Sequence, residues 1–227
     1  MALEKELSLI VPAYQSYQSL LKTIPDLLTI FPDAEIIIIN DGSLDETSKI
    51  KDLFKEQIIY LENKTNKGKG FSIREGVLQA TGKFIIFTDA DLPYGIEGIQ
   101  VVLKELQKSH QVVISKREKF NDNFIKAIGR FVFDLVFKPF LGITILDTQA
   151  GLKGFSQRVA KKLFAYSFIN RFAIDLEILL LCQKFKYPVT IVPVQQKNPS
   201  PTQLSILDII YIFIDILRIK FHHYAIH

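Results

Sequence analysis

Two aspartates that follow an apolar run are the residues in this chain best suited to hold a metal ion. Phe84–Phe87 leads through Thr88 to Asp89, Ala90 and Asp91, a pattern that predicts a buried strand ending at two carboxylates. Ionised carboxylates at the edge of an apolar core are costly unless a positive charge meets them. Two of them, one small residue apart, can share Mg²⁺ or Mn²⁺, which prefer oxygen ligands. A cation held in this way can bind a diphosphate.

Strands and helices that alternate along the first half of the chain must position these aspartates. Apolar runs predict strands at 7–11, 35–39, 57–61, 84–87 and 111–115, and helical spacing predicts helices at 16–30, 43–55, 70–80 and 96–107. Pro25 is expected to kink or split the first helix. Ser43 and Glu46 form a capping box that is expected to open the second helix.

Near-continuous apolar strands that alternate with helices predict an α/β fold, with a mostly parallel sheet covered by helices on both faces. Ligands of such sheets bind beyond the carboxyl ends of the strands. Asp41 follows the second strand, and Asp89 and Asp91 follow the fourth. We therefore expect these three carboxylates to converge at one edge of the sheet.

The second half of the chain has a different pattern. An apolar stretch at 124–138 places Lys126, Arg130, Asp134 and Lys138 four residues apart, which predicts a helix with one narrow polar stripe. A loop and short strand are expected at 147–155, helices at 157–166 and 175–185, and a strand at 189–194. The last predicted helix spans 204–222 and is apolar except for one stripe that includes Asp208 and Asp215.

Composition narrows the class of protein. The chain has 227 residues, 48% of them hydrophobic and 23% charged, which is typical of one globular domain with a substantial core. A net charge of +4 fits an anionic ligand or membrane surface. No arginine-rich or RNP-like segment indicates nucleic-acid binding. Cys182 is the single cysteine, so no intrachain disulfide is possible, and its apolar surroundings predict a buried, inert thiol.

Targeting signals are not evident in the sequence. The first six residues are too charged for a signal peptide, and no run of about 18 apolar residues indicates a transmembrane helix. We therefore expect a cytoplasmic protein, in a reducing compartment, that binds peripherally to the cytoplasmic face of a membrane. The helix at 124–138 favours that membrane contact through its apolar arc and basic edge, although core packing and a dimer interface remain alternatives for it and for 204–222.

Six short motifs resemble the family 2 glycosyltransferases with the GT-A (Rossmann-like) fold, and among them the polyprenyl- or dolichyl-phosphate mannose and glucose synthases. They occur in the family's order and cover about residues 7–195. The motifs are Val11-Pro12-Ala13-Tyr14, Asn40-Asp41-Gly42-Ser43, Asn66-Lys67-Gly68-Lys69-Gly70, Asp89-Ala90-Asp91, Asp147-Thr148-Gln149-Ala150-Gly151-Leu152-Lys153 and Asp175-Leu176-Glu177.

The resemblance implies a single domain over residues 1–227 and assigns roles within it. The nucleotide-sugar half would span about 1–118, the acceptor half about 119–200 and a C-terminal amphipathic helix about 203–222. Asp89, Asp91 and Gln149 would hold Mg²⁺ or Mn²⁺, and Arg117 and Arg130 would meet the acceptor phosphate or the donor diphosphate. Asp89, Asp91 and Arg117 would be catalytic. The nucleotide sugar would contact Pro12, Ala13, Tyr14, Asp41, Lys69, Asp89, Ala90, Asp91 and Lys197.

The reaction implied by the resemblance transfers mannose or glucose from a GDP- or UDP-sugar to a polyprenyl phosphate, with inversion. His110 is expected at the amino end of a strand, and His222, His223 and His227 lie at the end of the chain. A histidine base is therefore not expected. A phosphate acceptor needs none, because a phosphate monoester is already anionic near neutral pH.

Two alternative functions remain open from the sequence. One is transfer to a glycan or protein hydroxyl, for which Asp175, Glu177 or another carboxylate would serve as the base. The other is a non-catalytic, membrane-associated module that binds a nucleotide.

Overall fold

Seven strands form one sheet in the part of the chain that the structure, a computed structural model, describes: residues 5–117, 151–197 and 206–224. The sheet order is β3-β2-β1-β4-β6-β5-β7, and β6 alone is antiparallel to both of its neighbours. The mostly parallel sheet predicted from the sequence is therefore confirmed. The strands are β1 (Leu7–Ala13), β2 (Glu35–Asn40), β3 (Ile59–Glu62), β4 (Phe84–Phe87), β5 (Val112–Arg117), β6 (Lys153–Ser156) and β7 (Val189–Val194).

Helices cover both faces of this sheet. The described helices are α1 (Tyr17–Ile30), α2 (Ile50–Phe54), α3 (Lys69–Gln79), α4 (Gly95–Gln107), α5 (Gln157–Tyr166), α6 (Ile174–Lys184) and α7 (Ile206–Tyr224). Short 3₁₀ turns at Glu46–Lys49 and Lys55–Gln57 flank α2.

The core has one apolar cluster on each face because successive strand residues point to opposite sides. In β1, Leu9 and Val11 pack with α1 and α4. Ile10 faces the other way, into the cluster that contains residues of α3, α5, α6 and α7. The central strands β1, β2 and β4 are thus buried on both sides, which explains their continuous apolar sequences.

The second predicted helix starts differently from the expectation. Ser43 does not cap it, because the Ser43 hydroxyl accepts the backbone N–H of Gln15 at 2.9 Å in the turn after β1. Asp45 is the cap instead: its backbone is extended, and its carboxylate accepts the N–H of Thr47 at 3.0 Å. The capping-box prediction is therefore wrong, and the single helix predicted at 43–55 is two 3₁₀ turns around the short α2.

Most other elements lie within two residues of their predicted bounds. α1 runs through Pro25 without being split, whereas α5 and β7 match the predicted ranges. The helix predicted at 124–138 lies outside the described residues. Over the described ranges, no helix combines the length and the apolar character that a membrane span requires.

Candidate active site

The candidate site lies where β1, β2 and β4 end. β1 pairs with β2 on one side and with β4 on the other, so the connections leave this point in opposite directions, as at the ligand-binding crevice of open α/β sheets. Asp41 follows β2, and Asp89 and Asp91 follow β4. The Asp41 carboxylate bonds to the turn before α3, and Asp89 pairs with Lys69, the first residue of α3, so these two carboxylates lie near the same turn.

Asp41 shapes that turn. Its side chain is almost fully buried, at 3% exposure. One carboxylate oxygen accepts the Lys67 N–H at 2.9 Å and the Asn63 amide at 2.8 Å, and the other accepts the Gly68 N–H at 2.7 Å. Gly68 has a φ of +101°, a conformation that favours glycine. The Asn40–Ser43 and Asn66–Gly70 motifs are therefore parts of one structure.

Lys69 begins α3 and reaches across to the acidic pair. Its ammonium forms an ion pair with Asp89 Oδ1. Burial alone would lower the pKa of Lys69, but the carboxylates of Asp89 and Asp175 outweigh that effect and raise it. A protonated lysine thus provides positive charge beside Asp89, at the place where the sequence predicts a metal cation.

Gly151 brings the second half of the chain to the same carboxylate. A Cβ added at Gly151 would lie closer than 3.0 Å to Asp89 Oδ2, so no larger residue fits without displacing Asp89. Because β6 runs antiparallel to β4, its first residue, Lys153, pairs with Phe87 at the last position of β4. This pairing, with the close approach of Gly151, places the described end of that motif, residues 151–153, beside Asp89.

The described residues fit a divalent cation whose remaining coordination positions are filled by a bound ligand. No group of three His, Cys, Asp or Glu side chains suited to a metal occurs within the described ranges. Mg²⁺ is commonly bound by only one or two carboxylates, with substrate phosphates and water filling the other positions. Asp89 and Asp91, both half-buried at the mouth of the crevice, match that pattern, whereas the third predicted ligand, Gln149, lies outside the described residues.

Lys153 and Asp175 form an ion pair under the site that the sequence analysis did not identify. The Lys153 ammonium is 2.6 Å from Asp175 Oδ1, and the exposures of the two side chains are 0% and 14%. Lys153 stands in the otherwise apolar run Leu152–Phe155, and that anomaly was the available signal. Lys153, Asp175, Lys69 and Asp89 make a series of alternating charges that ends at the predicted metal site.

The environment of Glu177 indicates a structural role and not a catalytic one. Its side chain is completely buried, and its carboxylate accepts the N–H groups of Phe168 and Ile169 at 3.0–3.1 Å. The ring of His223, from α7, lies 2.8 Å from Glu177 Oε1. A carboxylate enclosed in this way cannot reach a substrate hydroxyl, which removes Glu177 as a base.

The remaining predicted nucleotide contacts lie around the same edge. Pro12 and Ala13 end β1 and Tyr14 follows it, with Ala13 buried and Tyr14 exposed. Ala90 is buried, and its carbonyl accepts the Thr23 hydroxyl at 3.0 Å. Lys197 lies beside the loop after Asp91, since its N–H donates to the Pro93 carbonyl at 2.9 Å, but its ammonium pairs with Glu97.

An open cleft adjoins these residues, between Gly42–Leu44 and Glu62–Lys64. It lies at the carboxyl ends of β2 and β3, next to Asp41. Of the predicted acceptor residues, Arg117 is the last residue of β5 and is opposite Val194 of β7, but its side chain is outside the described part. Arg130 also lies outside it.

Residues away from the site agree with their sequence interpretation. Cys182 is buried in α6, and burial raises the pKa of its thiol to about 12, so the thiol is unreactive at neutral pH. His110 precedes β5, at the opposite edge of the sheet, and its ring lies 3.1 Å from Glu105. Neither residue takes part in the candidate site.

Comparisons with known proteins agree with the resemblance. Residues 8–164 match the sequence pattern of the family described as Glycosyl transferase family 2. A dolichyl-phosphate beta-glucosyltransferase of Drosophila melanogaster is 31% identical over 88% of this chain and 69% of its own length. The corresponding protein of Dictyostelium discoideum is 29% identical over 96% of this chain and 74% of its own length.

Solved structures share the fold at low sequence identity. Glucosyl-3-phosphoglycerate synthase from Mycobacterium tuberculosis, in complex with Mn²⁺, UDP and glucosyl-3-phosphoglycerate, aligns over 95% of this chain and 78% of its own, with a TM-score of 0.70 and 16% identity. Mannosyl-3-phosphoglycerate synthase from Rubrobacter xylanophilus aligns over 97% and 74%, with a TM-score of 0.73 and 14% identity. The GT-A fold predicted from the motifs is therefore confirmed.

Proposed function

The chain belongs to family 2 of the glycosyltransferases, and from that premise we propose that it transfers glucose from UDP-glucose to the phosphate of a dolichyl or related polyprenyl phosphate. The relatives from Drosophila and Dictyostelium, which carry the name dolichyl-phosphate beta-glucosyltransferase, support this acceptor and this sugar. The structural neighbours in complex with UDP favour UDP over GDP as the donor nucleotide.

One observation supports the donor site above the others: Lys69 from the Gly-rich motif and Gly151, two residues before β6, both lie against Asp89. A diphosphate at this place would find an ammonium, two carboxylates for a cation, and the backbone of a turn that Asp41 fixes. Asp89 and Asp91 would hold Mg²⁺ or Mn²⁺, with Gln149 as a further ligand. When bound, the cation supplies positive charge that stabilises the departing diphosphate.

The nucleoside would occupy the crevice at the ends of β1 and β2. Pro12, Ala13 and Tyr14 border it on one side, and the open cleft at Gly42–Leu44 adjoins it. Ala90 and Lys197 lie on the side of the acidic pair, where the diphosphate and sugar would extend. In this arrangement Asp41 acts chiefly through the turn, because its carboxylate already accepts three hydrogen bonds.

The acceptor phosphate would attack the anomeric carbon directly. A bond forms between a phosphate oxygen and that carbon while the bond to the β-phosphate oxygen breaks, so UDP leaves and the configuration inverts. The environments of Asp175 and Glu177 agree with a reaction that uses neither of them as a base. Glu177 is enclosed, and Asp175 would lose its ion pair with the buried Lys153 on taking a proton. Arg117 and Arg130 would hold the acceptor phosphate.

We further propose that α7 lies against the membrane that contains the acceptor. Its inner face, with Ile216 and Ile219, is part of the core. Its outer face exposes an apolar stripe at helical spacing: Ile210, Phe213, Ile214 and Phe221. An apolar face of this kind can insert at the boundary between headgroups and acyl chains. The protein would then act as a peripheral membrane enzyme, on the cytoplasmic face.

Transfer of labelled glucose tests the proposed function. The chain is incubated with Mn²⁺, UDP-[¹⁴C]glucose and dolichyl phosphate, and the product is partitioned between water and organic solvent. We expect label in the organic phase, none with GDP-mannose as donor, and loss of at least about a hundredfold in rate for Asp89→Asn. Asp26→Asn, an exposed carboxylate on α1, is the matched control and retains activity.

Two results would contradict the proposal in different ways. Label that stays in the aqueous phase on a glycan or peptide would replace the lipid acceptor with a hydroxyl acceptor. A chain that gains no thermal stability from either UDP or GDP in the presence of Mn²⁺ would lack a nucleotide site altogether.

A further inference from the structure

The segment Phe168–Arg171 forms the support on which the Gly-rich turn rests. A Cβ added at Gly68 or Gly70 would lie closer than 3.0 Å to backbone oxygens of this segment. The Phe71 N–H donates to the Asn170 carbonyl at 3.0 Å. Glycine is required at both positions because two backbones approach each other there.

Arg74 joins the same two parts through its guanidinium. It donates to the Ile169 carbonyl at 3.3 Å and to the Asn170 side chain at 2.6 Å. The turn and the segment therefore have to move together. The position of Lys69, which pairs with Asp89, depends on a segment about a hundred residues further along the chain.

The support segment is itself held by one buried carboxylate. Glu177 accepts the N–H groups of Phe168 and Ile169, and its environment excludes water completely. Both oxygens of Glu177 already accept backbone N–H groups. In the 2.8 Å hydrogen bond between Glu177 and His223, the donor is therefore His223 Nε2–H. Removing that donor would leave part of a buried carboxylate unsatisfied.

α7 contacts the segment at a second place as well. The Arg171 guanidinium lies over the Tyr211 ring at 3.8 Å, and the Phe168 ring lies 4.4 Å and 5.4 Å from the rings of His222 and His223. The segment is thus enclosed between α7 and the turn. Lys69 and Gly151 are the residues seen against the Asp89 carboxylate, and Lys69 follows directly from Lys67 and Gly68, so the turn links α7 to the site.

We propose that Glu177 and His223 are positioning residues for the donor site: through Phe168–Arg171 they fix the Lys67–Gly70 turn, and with it Lys69, in the geometry that binds the diphosphate of the nucleotide. This inference rests on the proposed function for the identity of the donor. It assigns to the end of α7 a role in donor binding, in addition to the lipid contact proposed for the outer face of that helix.

His223→Leu tests the proposal, with Lys184→Met as the matched control. Lys184, the last residue of α6, anchors the same end of α7 through a 2.6 Å hydrogen bond to the His223 carbonyl. Both variants are expected to lower Tm. Only His223→Leu is expected to raise the Kd of UDP with Mn²⁺, by about fivefold or more, at a temperature where all the variants are folded. His223→Gln, which retains a donor, restores much of the affinity.

Amide hydrogen exchange gives a readout that needs no nucleotide. His223→Leu is expected to speed exchange at Lys67, Gly68 and Phe71 relative to Lys184→Met, because the turn loses its support. Glu177→Gln, which keeps one acceptor oxygen, provides a second variant with the same expected pattern if His223→Leu does not fold. Equal UDP affinities and equal exchange rates in His223→Leu and Lys184→Met would overturn the proposal. Faster exchange in His223→Leu than in Lys184→Met, together with a wild-type chain that fails to bind UDP, would refute only the proposed function.

Discussion

The ammonium of Lys153 lies 2.6 Å from the carboxylate of Asp175, and the lysine is completely buried. An isolated ammonium in such a place would be costly, so the pair is a condition for folding as well as a feature of the site. Asp175 in turn stabilises the charge of Lys69. The pair therefore links the interior of the sheet to the ammonium beside Asp89.

Replacing Lys153 alone should lower the free energy of unfolding more than replacing both members of this ion pair. Lys153→Met leaves Asp175 without its buried partner, and we expect it to lower the free energy of unfolding by about 2–4 kcal/mol. Adding Asp175→Asn should restore more than half of that loss. Urea denaturation of the two single variants and the double variant measures this coupling. Unchanged stability of Lys153→Met would show that the pair does not form.

Gly151→Ala should reduce catalysis more than stability. The new methyl group would displace the Asp89 carboxylate, and misplacement of a positioned group by about 1 Å can cost about a hundredfold in rate. Gly154→Ala is the control, because its methyl group would meet the apolar side chains of Val102 and Leu106. We expect Gly154→Ala to lower Tm without changing the affinity for UDP and Mn²⁺. The interpretation fails if both variants lose activity only in proportion to stability.

Lys69 should compete with the metal and assist the nucleotide. Lys69→Met removes the ammonium from Asp89, so Mn²⁺ should bind about tenfold more tightly without nucleotide, and UDP should bind about tenfold more weakly with Mn²⁺ present. Because the pKa of Lys69 is raised, these effects should be constant from about pH 6 to about pH 9. Calorimetric titration measures both affinities.

Lys67→Met is the control for that experiment. Lys67 lies in the same turn, but its ammonium is over the Phe71 ring at 4.2 Å, away from the acidic pair. Lys67→Met should leave the affinities for Mn²⁺ and for UDP nearly unchanged. Weaker Mn²⁺ binding by Lys69→Met would contradict the idea that the lysine occupies the place of the cation.

Sequence patterns were sufficient to predict where the strands lie but not which strands pair with each other in the sheet. Continuous apolar runs identify β1, β2 and β4 because each is buried on both faces. β6 contains Lys153 and Gly154 and has only four residues, so nothing local indicates its antiparallel insertion between β4 and β5. That insertion, which brings Gly151 to Asp89, depends on long-range pairing.

The two acidic pairs of the chain show why residue roles were harder to predict than elements. Asp89 and Asp91 follow a strand, whereas Asp175 and Glu177 lie in the first turn of α6. Residues two apart on a helix point to different sides. Asp175 therefore turns towards Lys153 and Glu177 towards His223, although their sequence spacing is the same as that of Asp89 and Asp91.

Asp215 makes stability depend on pH in the acidic range. Burial raises the pKa of the Asp215 carboxyl, and the negative charge of Glu177 raises it further. The hydrogen bond and the charge of Arg218 and the charge of Arg171 lower this pKa, but by less than burial raises it. Between the ordinary and the raised pKa the folded chain binds more protons than the unfolded chain, so this contribution to stability is lost as the pH rises. Asp215→Asn should remove that loss and raise Tm at pH 7 by about 2 °C.

Calorimetry from about pH 4 to about pH 7 checks the prediction for Asp215. The difference in Tm between Asp215→Asn and wild type should grow as the pH rises. Asp26→Asn, on the exposed side of α1, should show no such trend. A variant that is less stable than wild type at pH 7 would mean that the hydrogen bond from Arg218 outweighs the cost of burial.

The outer face of α7 should determine how the chain binds lipid. Phe213 and Phe221 are 48% and 72% exposed, and each would bury apolar area in a bilayer surface, at about 25 cal/mol per Å². Phe213→Ser with Phe221→Ser should therefore weaken sedimentation with phosphatidylcholine–phosphatidylserine vesicles by about tenfold or more. Leu53→Ser, at an exposed apolar residue of α2, should not.

Since neither phenylalanine contacts Asp89 or Lys69, UDP affinity in solution should stay the same, and transfer should fall only when the acceptor is presented in vesicles. Equal vesicle binding by the double variant and wild type would instead assign this face to another part of the chain or to a protein partner.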